Sequence, residues 1–235
     1  MCIRDRKLTA KIVLGLMLAT PYTAFAAQES GSIDSTTEIN ESINVVSDKT
    51  YGTKPGISYG LYAESDDNIQ LTGDEITITS NQEESNGSRA VMIEGGAVSL
   101  GNGNSVIEIN ANGNSAMGVF AFKENSKFTV NASSFVINVN TPGAFALHVQ
   151  NNTETANAPE NAASVNINAE NIVINGTDLG ISAFSNGQMD INGNLVVNAK
   201  NAIDTRGNAT ININTDGKHT TVSVSYTHLT LPTKA

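Results

Sequence analysis

From Ile57 onward the apolar positions of the chain recur in a triple pattern. A small residue followed by an aliphatic one appears at Gly60-Leu61, Ala90-Val91, Gly118-Val119, Ala146-Leu147, Gly180-Ile181 and Ala202-Ile203, at intervals of 30, 28, 28, 34 and 22 residues. Two apolar residues two positions apart follow each marker: Ile69/Leu71, Val98/Leu100, Phe128/Val130, Val165/Ile167, Met189/Ile191 and Ile211/Ile213. Turn residues close these pairs, as in Thr72-Gly73-Asp74, Gly101-Asn102-Gly103 and Asn192-Gly193-Asn194. A third alternating pair comes next, at Ile76/Ile78, Ile107/Ile109, Ile137/Val139, Ile172/Ile174 and Leu195/Val197, and the last repeat ends near Val222 and Val224. Alternation with period two marks strands with one buried face, and uneven intervals are what insertions between stacked repeats produce.

Three short strands cannot bury an apolar face alone. A buried aliphatic side chain contributes roughly 1.5 to 3 kcal/mol, whereas ordering one backbone residue costs about 1 to 2 kcal/mol, so each repeat needs neighbours. Stacking places every strand beside its equivalent in the next coil. The expectation is an all-β chain, a right-handed single-stranded parallel β-helix with three strands per coil. Six coils at roughly 4.8 Å each form a rod of about 30 Å. Leu71, Leu100, Val130, Ile167, Ile191 and Ile213 fall at one phase and form an interior column. Asn110, Asn140, Asn175 and Asn198 recur just after the third strands; Asn tolerates αL geometry at a turn, and stacked amides bonded along the rod are expected to make a structural ladder.

Composition agrees with this and adds an address. The 235 residues are 39% hydrophobic and 15% charged, with no Trp and few aromatics, a mixture of β-formers and turn-formers. Residues 1–6 (MCIRDR) and 225–235 (SYTHLTLPTKA) resemble translated sequencing-adapter fragments and are set apart from the fold. Residues 7–26 read as a secretory signal peptide. Lys7 and Lys11 supply the basic start, Ile12 to Ala19 the apolar run, and Ala24 and Ala26 the small residues before cleavage at Ala27. Residues 27–56 are polar with no clear alternation and read as an N-terminal cap; residues 57–224 carry the repeats. Cys2 lies in the non-native leader, so the mature chain has no thiol for a disulfide or a cysteine-type zinc site. Removing Arg4, Asp5, Arg6, Lys7, Lys11 and Lys234 takes a net +4 from the formal charge of −10 and leaves −14. Such a chain repels phosphate backbones, which argues against nucleic acid as a partner.

Signal peptide, Asn- and Gly-punctuated strands, acidic charge and absent thiols together resemble the passenger region of bacterial autotransporters (type V secretion), over residues 7 to 224. The resemblance implies export by the Sec route from a Gram-negative bacterium and an outer-membrane barrel as translocator. It also implies a β-helical stalk displayed at the cell surface or released, an adhesin-like passenger binding a host surface protein or glycan. The repeats are not followed by such a barrel here, and the adapter-like end leads to the expectation of a truncated reading frame, with a freely secreted solenoid as the alternative.

Parallel β-helices also carry polysaccharide lyases and hydrolases, with acidic or Arg-based sites on one outer face, and a secreted enzyme of that kind is the alternative reading. Asp204-Thr205-Arg206 sets a carboxylate and a guanidinium on the same side of one strand, where an exposed ion pair is expected. Asp66-Asp67 and Glu83-Glu84 lack the further ligands of a Ca²⁺ site and read as solvated turns. His148 is alone and expected to point outward; His219 and His228 join no constellation. Ser133-Ser134 shows no nucleophile elbow, and Gly95-Gly96 and Gly101-Asn102-Gly103 lack the Lys-Ser/Thr of a phosphate loop. No catalytic, cofactor-binding or metal constellation emerges. Tyr51, Tyr59 and Tyr62 cluster at the entry and are expected to cover the first coil. The polar insertion from Asn151 to Ala163 is the candidate interaction loop, with Asn151, Asn152, Thr153, Glu154 and Glu160 as its contact residues.

The cleavage reading is checked by N-terminal sequencing of exported protein, with Ala27 expected as the first residue. A start beyond Gly56 defeats it.

Overall fold

The computed structural model describes residues 27–47, 57–82, 87–152, 159–214 and 220–224. They form an all-β chain. β1 (Gln28–Ser30), β2 (Thr37–Ile39) and β3 (Ile43–Val46) precede the repeats. The first repeat holds β4 (Ile57–Glu64), β5 (Asn68–Leu71) and β6 (Glu75–Gln82), the second β7 (Gly87–Glu94), β8 (Ala97–Leu100) and β9 (Val106–Gly113). In the next three the second and third strands fuse: β10 (Met117–Phe122) with β11 (Lys127–Val139), β12 (Phe145–Gln150) with β13 (Ser164–Gly176), and β14 (Leu179–Phe184) with β15 (Gln188–Ala199). The last repeat has β16 (Asn201–Arg206), β17 (Thr210–Ile213) and β18 (Thr220–Val224).

Every strand pairing is parallel and links equivalent strands of successive repeats, an arrangement compatible with a parallel β-helix. The first strands make one six-stranded sheet in the order β4-β7-β10-β12-β14-β16, and the second and third strands together make the other. The markers pair as the repeat demands: Leu61 with Val91, then Val119, Leu147, Ile181 and Ile203. The second-strand column runs through Leu71, Leu100, Val130, Ile167, Ile191 and Ile213 in register.

The small residue of each marker has a steric cause. A Cβ on Gly118 would lie 2.5 Å from both the Ala146 carbonyl oxygen and Ile137 Cγ2, and one on Gly60 2.6 Å from Ile78 Cγ2. At this corner the first strand runs against the side chains of the third, so Gly60 and Gly118 leave no room for a Cβ, and no marker residue is larger than the Ala of Ala90, Ala146 and Ala202. The next corner is turned by residues at positive φ, among them Asp66, Lys123, Asn125 and Asn186, which is the use of the Asn, Asp and Gly punctuation. Asp67 braces its own turn, accepting from the Glu64 N–H at 3.2 Å.

The structure departs from the sequence expectation in three places. In the third repeat the partners of Ile107 and Ile109 are Phe135 and Ile137, one step ahead of Ile137/Val139. β11 bends at Ala132–Ser134 without a turn, so the third strand starts two residues early and Phe135 fills the corner against Phe128, 6.2 Å away between ring centroids. The same slip replaces Asn140 by Asn138 in the asparagine series. Asn138 Nδ2 donates to Asn110 Oδ1 at 3.0 Å, Asn175 to Asn138 at 2.8 Å and Asn198 to Asn175 at 2.8 Å. These asparagines lie within the strands, so they form a ladder and not αL turns. Finally, the segment read as a cap adds another coil. Ile33 bridges to Leu61, β2 pairs with β5 and β3 with β6. Its Ile43 and Val45 are fully buried.

At the other end Ile203 is 41% exposed while Ile181, its partner in register, is 0%. No described coil lies beyond it. Among the described residues no helix is long and apolar enough to cross a membrane.

Asn138→Ala removes one donor and one acceptor from the ladder and is expected to lower stability by about 1 to 2 kcal/mol. Asn140→Ala, at an exposed position, should stay within about 0.5 kcal/mol. Urea midpoints of the two variants check the corrected phase; equal losses would contradict it.

Candidate functional site

The outer positions of the second and third strands are mostly polar, Asn, Ser and Thr prominent among them, with the valines Val136, Val173 and Val196 aligned in register on the third strands. The first strands differ. Met117-Gly118-Val119-Phe120-Ala121-Phe122 and Phe145-Ala146-Leu147-His148-Val149 are apolar in both phases. That is how a strand covered on two sides reads. Val119, Ala121, Leu147 and Val149 join the interior core, and the alternate residues project from the outer side of the first sheet.

Register collects these outer residues into rows. One runs through Tyr62, Met92, Phe120, His148, Ser182 and Asp204, and a second through Tyr59, Arg89, Met117, Phe145, Leu179 and Asn201. Phe122, Gln150, Phe184 and Arg206 continue a third. Four of the seven phenylalanines therefore share one outer face. Phe120 and Phe122 stack at 5.3 Å, and His148 lies 5.0 Å from Phe120, 5.0 Å from Phe145 and 4.8 Å from Phe184, edge-on to the last. The four phenylalanines are half-buried, whereas Tyr59, Tyr62 and Met92 are buried. Contiguous apolar surface of this kind marks contact sites on soluble domains.

Charged groups border the rings. Arg206 donates to Asp204 Oδ2 at 2.5 Å and lies over the Phe184 ring at 4.8 Å from its centroid. Lys123 Nζ is 2.9 Å from Glu94 Oε2. Arg89 Cζ is 6.0 Å from the Phe120 centroid.

His148 points outward as expected, yet it is only 3% exposed, because rings from the coils on either side close over it. Its Nε2 is 3.1 Å from Gln150 Oε1, which makes Nε2 the donor, and its Nδ1 accepts from the Ser182 hydroxyl at 2.6 Å. The imidazole is thus satisfied in its neutral form. Burial lowers its pKa to about 4, against the opposing pull of Gln150, Ser182 and, through space, Asp204.

His148, Ser182 and Asp204 stand in one row, but the hydroxyl sits between imidazole and carboxylate. Activating a serine requires the imidazole in the middle, and Ser182 is fully buried. The row does not assemble a nucleophile. Among the described residues no group of three His, Cys, Asp or Glu could hold a metal ion.

The chain matches no protein family, and comparison with curated proteins and with solved structures finds no match either.

The loop candidates divide. Asn151 is buried, and its Oδ1 accepts from the Ala163 N–H at 2.6 Å, so it clasps the base of the insertion and faces no solvent. Asn152 and Glu160 are exposed, the latter in the 3-10 turn Pro159–Asn161. Thr153 and Glu154 lie outside the described residues, as do Ala24, Ala26, Tyr51, Glu83-Glu84, Cys2, His219 and His228. Ala27 is half-buried at the start of the described chain. Ser133 caps the coil beneath, donating to the Asn104 carbonyl at 2.9 Å. Gly95 and Gly101 are turn residues at positive φ. Tyr59 and Tyr62 belong to the aromatic face, 5.1 Å apart. The signal that could have located the rest of this face is the doubly apolar phase of the first strands.

With a folded pKa below that of the unfolded chain, His148 costs nothing above about pH 6.5, and its penalty grows as pH falls towards 4. The loss is expected to reach roughly 3 kcal/mol at the lower limit. Urea midpoints at pH 7 and pH 4 for the natural chain and His148→Gln test this; the variant should lose less. Parallel losses would place the titration elsewhere.

Proposed function

We propose that this chain is the passenger of an autotransporter, a right-handed single-stranded parallel β-helix exported by the Sec route and displayed at the surface of a Gram-negative cell or released from it. Its work is binding, and the contact surface is the outer aromatic face of the first sheet, with an extracellular glycan as ligand. The observation that carries the reading is the row-wise gathering of Phe120, Phe145, Phe184 and their neighbours on the outside of a rod whose core is already filled. Interior packing does not call for them there. Ring faces carry partial negative charge and attract the C–H groups of a pyranose. Gln150, Asn201, Asp204 and Arg206 supply hydrogen bonds for hydroxyls along the same rows. The signal peptide and coil repeat support export and display.

The test is a glycan panel with purified exported protein. Phe184→Ala and Phe120→Ala are each expected to weaken binding about tenfold, ~1.4 kcal/mol. Deleting residues 152–160 should change it little. Binding that survives both ring substitutions but vanishes with the loop would move the site to the insertion. Release of unsaturated or reducing ends, abolished by Asp204→Asn, would replace binding by lyase or hydrolase chemistry.

A further inference from the structure

We infer that Arg89 anchors a subsite for an acidic sugar on the aromatic face, taking the carboxylate of a uronic-acid residue whose ring lies across the exposed edge of Phe120. The inference rests on the glycan reading above and names the ligand's chemistry. Arg89 projects from β7 in the row Tyr59, Arg89, Met117, beside Phe120. Its Nε and Nη1 are shut off from solvent and have no hydrogen-bond partner among the described residues. The other cations on this face are matched, Lys123 with Glu94 and Arg206 with Asp204. A guanidinium presents five donors in a rigid fork, and here two of its three nitrogens are closed off from water without an acceptor, which costs them their hydration. Burial accordingly lowers its pKa despite Tyr59 and Glu94 nearby.

A group kept at such a cost implies an acceptor that arrives from outside. The complement of a planar, two-pronged donor is a carboxylate. With the formal charge of the chain at −10, its general field repels an anion, so attraction has to come from a local unmatched cation. Phe120 decides what the carboxylate is attached to. Arg89 Cζ lies over the Phe120 ring, 6.0 Å from its centroid, and Phe122 stacks on that ring at 5.3 Å, so a pyranose resting across the exposed edge of Phe120 brings an edge substituent to the guanidinium. A uronic acid carries its carboxylate at the edge of the pyranose. Access requires only a side-chain shift, since Met117 beside Arg89 is half-buried and unbranched.

The experiment compares oligogalacturonate, the neutral galactose oligomer of the same length and a polyglutamate peptide as ligands of exported protein, with thermal midpoints recorded in parallel. The natural chain should prefer oligogalacturonate to the neutral oligomer at least tenfold. Arg89→Met should erase that preference, leave neutral-sugar binding within about twofold, and hold or raise the midpoint, because it removes the unmatched charge while keeping the volume. Arg89→Lys should keep only part of the preference. Phe120→Ala should weaken both sugars. A midpoint several degrees lower in Arg89→Met would make the residue a structural one and overturn the inference, as would equal binding of acidic and neutral oligomers. Tighter binding of polyglutamate would assign the subsite to acidic peptides instead. Failure of both sugars to bind sinks the glycan reading itself, whereas binding without acid preference sinks only the role of Arg89.

Discussion

A coil of three short strands leaves its interior open above and below, so each coil of this chain must sit in register on the next. Parallel backbone pairing enforces that register, and every other feature follows from it. Once Leu61, Val91, Val119, Leu147, Ile181 and Ile203 stand in one column, neighbouring residues are committed to columns of their own. The cross-section is narrow at the corner between third and first strands, where every marker residue is Gly or Ala. Polar side chains obey the same rule: Asn110, Asn138, Asn175 and Asn198 bond to one another because the stack superposes them.

Stacking also turns a weak feature of one coil into a surface. A single outward phenylalanine is unremarkable on a strand. Repeated in register, with His148 between them, such residues become a continuous aromatic face whose members shield one another from water. The burial of His148 is a product of this arrangement, since its cover comes from β10, its own strand and β14. Its neutral state, its bond from Ser182 and the cation over Phe184 are properties of neighbouring coils acting together. The unmatched Arg89 stands out against this background because stacking otherwise provides partners, as the Glu94–Lys123 pair between successive coils illustrates.

How far the amino-acid pattern reaches is visible residue by residue. Markers and second-strand pairs were legible in every repeat, because their two-residue alternation is the same local requirement each time. The third strand was misplaced once, at Ile137/Val139, where β11 crosses a corner without a turn and no punctuation marks the start. The coil made by residues 27–47 was hidden for a related reason. Its strands are short, and its apolar residues, Ile33, Ile39, Ile43 and Val45, have too few local neighbours to show a period. Pairing with β5 and β6 supplies what local sequence lacks.

By itself the sequence determined the strand content, the repeat, the inward phase of nearly every coil and the apolar columns, because alternation along a strand is a property of adjacent residues. Tertiary structure alone decided which outer residues meet. Phe120, His148, Phe184 and Arg89 are separated by 22 residues or more from their partners in the next coil, and their contacts depend on the number of residues in each intervening turn. Insertions change that number without disturbing the columns. The interior phase can therefore be read from a few neighbouring residues, while the composition of the outer face waits on the completed stack.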